Sequence, residues 1–121
     1  TLKFFNDLIY FSALICFIAH IFPIWLKFKG GKGVATYLGI IIALSFKFGI
    51  IFCITWLLIS FIFRYSSLAS MVGTLVIFAY SIILDNITLS IFLFIIFVIT
   101  LYTHRENIVR LKESKETKIK L

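Results

Sequence analysis

Charge is scarce in this chain: 14% of its 121 residues are Asp, Glu, Lys or Arg, against 62% hydrophobic, and only five are acidic. A soluble helical domain covers its apolar stripes with charged faces, so this shortage, with a mean hydropathy of +1.13, excludes one. Cysteine is scarce as well. Cys16 and Cys53 each sit inside an apolar run, which reads as two small lipid- or protein-facing side chains rather than a disulfide or metal pair. No small-residue cleavage site follows the first apolar run, and further apolar runs come after it, so a secretion signal is excluded. The first residue is Thr1 rather than Met, which suggests a piece of a longer protein.

What the chain has in abundance is Ile, Leu and Phe in long runs. Five apolar segments can be drawn, at 8–22, 34–46, 48–63, 68–84 and 87–103. All are near or below the roughly 20 residues that span hydrocarbon at about 1.5 Å per residue. The expected fold is therefore all-α, a polytopic transmembrane helix bundle with about five membrane segments. The second segment is short enough for a half-helix. Residues 1–121 read as a single membrane domain with a charged tail at 113–121, expected to leave the membrane as a frayed helix or coil.

The net charge of +7 is not spread as nucleic-acid binding would need; it gathers at the edges of apolar runs. Fusing the second and third segments through Lys47 would give one helix of some 30 residues and reverse part of the topology. With five crossings instead, ten of the twelve Lys and Arg fall on one side, leaving Lys3 and Lys47 opposite. The positive-inside rule places that side in the cytoplasm. The other side carries tight links at 45–47 and at Asp85-Asn86, a turn-forming pair.

Three motifs fall on the basic side. In the first, Pro23 should end the first helix, and Phe28-Lys29-Gly30-Gly31-Lys32-Gly33-Val34-Ala35-Thr36 then leads into the next. Clustered glycines let backbone N–H groups converge, a helix N-terminus adds partial positive charge and Lys29 and Lys32 add full charges, which together suit phosphate. The spacing is wrong for a Walker loop, because Leu26 and Gly33 stand where Gly and Ser or Thr are required. The plainer alternative is that Lys27, Lys29 and Lys32 are headgroup anchors. In the second motif, Arg64-Tyr65-Ser66-Ser67-Leu68-Ala69-Ser70, the hydroxyls can cap a helix or bind phosphate. The third is His104-Arg105-Glu106-Asn107-Ile108 with Arg110 and Leu111. On a helix, His104, Asn107 and Leu111 share one face, so His104 could act as a base or as a phosphate donor and Asn107 could orient a hydroxyl. The plainer reading is that His104 and Arg105 are interfacial residues reaching the headgroups.

These motifs together resemble the bacterial acyl-phosphate:glycerol-3-phosphate acyltransferases. The segment from His20 to Thr36 is similar to that family's Gly-His-x-Phe-Pro-x4-Phe-Lys-Gly-Gly-Lys-Gly-Val-Ala-Thr motif. Arg64 to Ser70 is similar to its Arg-aromatic-x-Ser-Leu-x-Ser element, and His104 to Lys118 to its His-Arg-x-Asn-Ile-x-Arg-Leu-x2-Gly-x-Glu-x-Lys motif. Ala19 and Ser114 replace family glycines, and nothing here matches an earlier family motif rich in Gly, Ser, Asn and Arg. The resemblance is thus to the C-terminal part of a longer acyltransferase.

The resemblance implies acyl transfer from acyl phosphate to the 1-hydroxyl of glycerol 3-phosphate, forming lysophosphatidate at the bacterial inner membrane. The partners would be those two substrates, membrane lipids and the N-terminal portion of the enzyme, without nucleic acid, metal or cofactor. The expected catalytic residues are His104, Asn107 and Lys32. The expected phosphate- and substrate-binding residues are Lys29, Gly30, Gly31, Lys32, Gly33, Ser67, Ser70 and Arg105. No cytoplasmic-edge cysteine nucleophile and no Ser-His-Asp set can be assembled, which favours direct attack by the substrate hydroxyl. Alcohol phosphotransferases would need clustered aspartates, and Asp7 and Asp85 are the only two. A truncated remnant or a non-catalytic membrane subunit is the competing expectation.

Overall fold

A computed structural model describes residues 2–22 and 33–120, and every regular element among them is helical. In chain order these are α1 (Leu2–Ile21), α2 (Val34–Leu44), α3 (Phe46–Phe63), α4 (Ser66–Ile83), α5 (Ile87–Thr103) and α6 (Arg105–Lys112). The five apolar segments correspond to α1 through α5. Ser45, in extended conformation (φ −162°, ψ 121°), separates α2 from α3, so the chain turns there instead of continuing as one long helix. Its N–H closes α2 on the Ile41 carbonyl, while its own carbonyl starts α3 by accepting from Phe48 at 3.0 Å.

Two helices, α3 and α4, are long and apolar enough to cross a membrane by themselves, and α5 with α6 makes a third if that pair, bent by 62°, is one span. The apolar parts of α1, Asp7–Ile21, and of α2 are shorter. The structure therefore supports an all-helical membrane fold, with two or three segments of full spanning length among the described residues.

The helices differ in what they bury. α3 is apolar all round and shows Ile54, Leu57, Leu58, Phe61 and Ile62 on its outer face, as a helix against lipid does. α4 lies between α3 and α5 and buries small or polar residues, including Ser67, Ala69, Ser70, Gly73, Thr74 and Ser81. Small side chains allow close helix approach where lipid removes the hydrophobic drive for association. At Gly73 the approach is tight: a Cβ there would lie 2.6 Å from the Phe52 ring. Ser81 and Ser90 hydrogen-bond across α4 and α5 at 3.1 Å, worth about 0.6 kcal/mol in a membrane. Beneath these, Phe17, Tyr37, Ile41, Phe52, Ile77, Leu93 and Ile96 join α1 to α5 in one core.

The bundle has two unlike ends. One cavity is lined by Tyr10, Ser45, Lys47, Tyr80 and Asn86, which gathers the short links at one end. Another is lined by both Val34 and Ser70, which puts the starts of α2 and α4 together at the opposite end. The starts of α2 and α4, which loop charge put on one side, thus share an end of the fold. The tail takes the coil form of the expectation, but it is docked. It is not helical, but it is not frayed either: the Ile119 N–H donates to the Arg64 carbonyl at 2.7 Å and Arg64 Nε donates to the Ile119 carbonyl at 3.0 Å. Lys118 Nζ lies 5.9 Å from the Tyr65 ring centre. Local charge predicted release of the tail, whereas one backbone bond and one Arg64 side-chain bond to Ile119 hold it.

Candidate functional site

The motif end is built around a carboxylate. α6 closes at Glu113, and Ser114 takes a left-handed conformation (φ 56°). Lys115 N–H then bonds the Arg110 carbonyl at 2.7 Å and Ser114 N–H the Leu111 carbonyl at 3.3 Å, a Schellman closure that reverses the chain. That reversal carries Glu116 back to α4. Its Oε2 accepts from Ser67 Oγ at 2.8 Å and from Asn107 Nδ2 at 2.7 Å, while its Oε1 accepts from Arg110 Nε at 3.1 Å and Thr117 N–H at 3.2 Å. Partial burial pushes the carboxyl pKa up, but the bonds from Asn107, Ser67, Arg110 and Thr117 outweigh it and hold the value at about 2. Glu116 is the residue sequence reasoning missed. Its signal was present, because the tail motif ends in Glu-x-Lys and Glu116 and Lys118 occupy those positions.

His104 sits at the bend between α5 and α6 and is 2% exposed. Its Nδ1 lies 2.8 Å from the Thr100 carbonyl oxygen, which can only accept. Nδ1 therefore carries the proton, and in the neutral ring Nε2 holds the lone pair that a general base needs. Asn107, 7% exposed, follows one turn later. The 62° bend gives these two residues a short helix of their own, so they are placed by the break in the α5–α6 axis as well as by helical spacing.

Other expected residues are placed differently. Gly33 is buried and left-handed (φ 86°) at the start of α2, where a Cβ would stand 2.7 Å from the Phe17 ring and 3.1 Å from Ile21. Glycine is thus required there by backbone conformation and by the close approach of α1. Ser70 donates to the Ser66 carbonyl at 2.9 Å and accepts Trp56 Nε1–H at 3.1 Å, which ties α3 to α4. Arg105 turns away from Glu116: Nη1 donates to the Tyr102 carbonyl at 3.0 Å, and the guanidinium lies 4.5 Å from the Tyr102 ring centre. Lys29, Gly30, Gly31 and Lys32, and Pro23 with them, lie outside the described residues. The structure thus brings Ser67, Asn107 and Arg110 onto one carboxylate, with His104 at the head of the same short helix. Among the described residues no group of three or more His, Cys, Asp or Glu side chains could hold a metal ion.

A helical membrane protein with buried hydroxyl and amide donors and a part-exposed guanidinium gathered at one end of its bundle is the class these features define. The chain belongs to the glycerol-3-phosphate acyltransferase family, whose sequence model matches residues 1–114. It is 50% identical over 115 residues to the glycerol-3-phosphate acyltransferase of Pelagibacter ubique (strain HTCC1062), covering 95% of this chain and 60% of that protein. The corresponding protein of Wolbachia pipientis wMel is 46% identical over 114 residues, covering 93% of this chain and 59% of its own length. Among solved structures, the fold is similar to PlsY (YgiH), an integral membrane glycerol 3-phosphate acyltransferase, in its glycerol 3-phosphate form. The TM-score is 0.88 at 34% identity, over 92% of this chain and 56% of that one. The lysophosphatidic acid form of the same protein gives 0.87. The chain thus spans about three fifths of the length of these curated relatives.

Proposed function

We propose that this chain takes part in transferring a fatty acyl group from acyl phosphate to the 1-hydroxyl of glycerol 3-phosphate, yielding lysophosphatidate. The observation that carries the reading is the convergence of Ser67, Asn107 and Arg110 on one anionic group beside His104, in a chain of this family. Lys29, Lys32 and the amides of Gly30, Gly31 and Gly33 hold a substrate phosphate and offset charge that develops in the transition state. His104 Nε2 takes the proton of the attacking hydroxyl, and Asn107 orients glycerol 3-phosphate. Ser67, Ser70 and Arg105 support substrate binding. Five crossings place the motif end and the C-terminus, with its charged segment 113–121, in the cytoplasm at the inner membrane. The membrane domain then works with an N-terminal portion that supplies the remaining part of the site.

The test is an assay of the purified chain with acyl phosphate and labelled glycerol 3-phosphate, alone and with a co-expressed N-terminal portion of a family member. Product in the mixture supports the reading. The second reading is a non-catalytic remnant or membrane subunit, which product in neither sample would favour. Within an active mixture, Lys32→Ala that left both turnover and substrate affinity unchanged would remove Lys32 from the site.

A further inference from the structure

The link end has a cavity of its own, of about 340 Å³, within the size range of small-molecule sites. Ser45 and Asn86, which line it, mark the two chain reversals, where helices leave hydrocarbon for the headgroup layer. Lys47 lines it too, and its ammonium lies 5.4 Å from the centre of the Tyr80 ring, a cation–π contact that keeps the charge at the cavity wall. Asn86 uses its Oδ1 to cap Leu89, which leaves the amide N–H groups as donors. No side chain caps α3, so the positive end of that helix adds to the same corner. No described Asp or Glu lines this cavity. An adjoining groove of about 260 Å³ between α1 and α5, which shares Tyr10 with it, does hold a carboxylate. Asp7 lines that groove one turn before Tyr10, and Leu14, Phe92 and Ile95 continue it into the apolar layer. Among the described residues neither Lys47 nor Asp7, nor the exposed Asp85 beside Asn86, makes an ion pair.

We propose that the link end binds a membrane phospholipid whose headgroup carries a phosphate and a primary ammonium: the phosphate beside Lys47 and Asn86, the ammonium at Asp7, and a hydrocarbon chain along the α1–α5 groove. The occupant is argued from charge complementarity. Lys47, the Asn86 amide and the start of α3 suit any phosphate, but Asp7 repels a second negative charge and attracts a positive one, so a zwitterion matches the pair and a purely anionic lipid does not. A primary ammonium donates hydrogen bonds to a carboxylate, which a quaternary one lacks the N–H groups to do. Such a lipid would tie α1, whose apolar part is short, to the α2–α3 and α4–α5 links. The site is separate from the cluster at the motif end and does not depend on the acyl-transfer reading.

The test reads binding by native mass spectrometry. The full chain, delipidated in detergent micelles, is titrated with short-chain phosphatidylethanolamine, phosphatidylglycerol and phosphatidylcholine. The expected result is saturable binding of phosphatidylethanolamine, about fivefold tighter than of phosphatidylglycerol, the equivalent of one charge contact near a membrane surface. Phosphatidylcholine should bind less tightly than phosphatidylethanolamine. Lys47→Gln should weaken phosphatidylethanolamine about fivefold, whereas Lys112→Gln, the same charge change beyond the motif end, should leave it unchanged. Asp7→Asn should weaken phosphatidylethanolamine and strengthen phosphatidylglycerol, and loss of folding cannot produce shifts of opposite sign. Equal binding of the three headgroups, a preference for phosphatidylglycerol, or saturable binding that neither Lys47→Gln nor Asp7→Asn alters would overturn the proposal. An equal loss with Lys112→Gln would overturn it as well, since net charge alone would then account for the binding.

Discussion

The two ends of the bundle handle polar groups in opposite ways. At the link end, partners are close in sequence: Asn86 Oδ1 caps α5 by accepting from Leu89 N–H at 3.1 Å, and the exposed Asp85 turns the chain in a left-handed conformation (φ 56°). At the motif end, partners are far apart: Ser67 and Glu116 are separated by 49 residues, Arg64 and Ile119 by 55, and Ser67 and Asn107 are buried. The difference teaches that a tight helix link needs only its own residues, whereas a buried polar cluster needs a donor and an acceptor delivered by separate elements. The link end therefore tolerates isolation, and the motif end depends on the tail.

The largest break in this comparison should come from Glu116→Ala. It leaves the Ser67 and Asn107 donors buried and Arg110 without its carboxylate, at an expected cost of about 2–3 kcal/mol in detergent-micelle unfolding. A cost under about 0.5 kcal/mol, the usual range for a surface change, would make the two ends equivalent. Acid should reproduce the effect reversibly. The folded Glu116 carboxyl lies at about 2, below its ordinary 4.5, so its contribution is present above about pH 4.5 and is lost as the pH falls toward 2. Amide protection at Ile119, with exchange measured against the intrinsic rate at each pH, should fall across that window, while protection at Leu89, whose acceptor is the Asn86 amide, should not.

Gly33→Ala should cost about 2 kcal/mol, since it combines a left-handed backbone with overlap against Phe17; thermal melting of the variant reads this. At the link end, Asn86→Ala removes one cap and should cost about 1 kcal/mol, with protection lost at Leu89 and retained at Ile119. The smallest effect sharpens the comparison in the other direction. Ser114→Gly relieves a non-glycine left-handed residue in the Schellman turn and should stabilise tail docking by about 0.5 kcal/mol, read as slower exchange at Lys115.

Helix identity was legible because the apolar runs are long and the breaks between them are chemically distinct. The expected segment 87–103 coincides with α5, and 48–63 misses only the first two residues of α3. The α1 start was placed six residues late, since polar Asn6 and Asp7 end an apolar run without ending a helix. That the starts of α2 and α4 and the segment after α5 share an end was legible too, through the alternation of charged and short links. The use of each hydroxyl was not. Ser67 and Ser70 are three residues apart on one helix, yet Ser67 serves the tail and Ser70 serves Trp56, because the facing element differs over that distance.

The sequence by itself determined that this is a helical membrane chain, where its helices lie and which motifs share an end, because hydropathy and charge act locally and segment count propagates their effect. It also held the family resemblance that residues 1–114 confirm. Only the tertiary structure decided that Glu116 is the acceptor that Ser67, Asn107 and Arg110 meet, that Arg105 faces Tyr102 instead, and that Phe52 rests on Gly73. A hydrogen bond and a ring contact are both satisfied within a few ångströms in space, and no local pattern in the chain records which distant residue will arrive there.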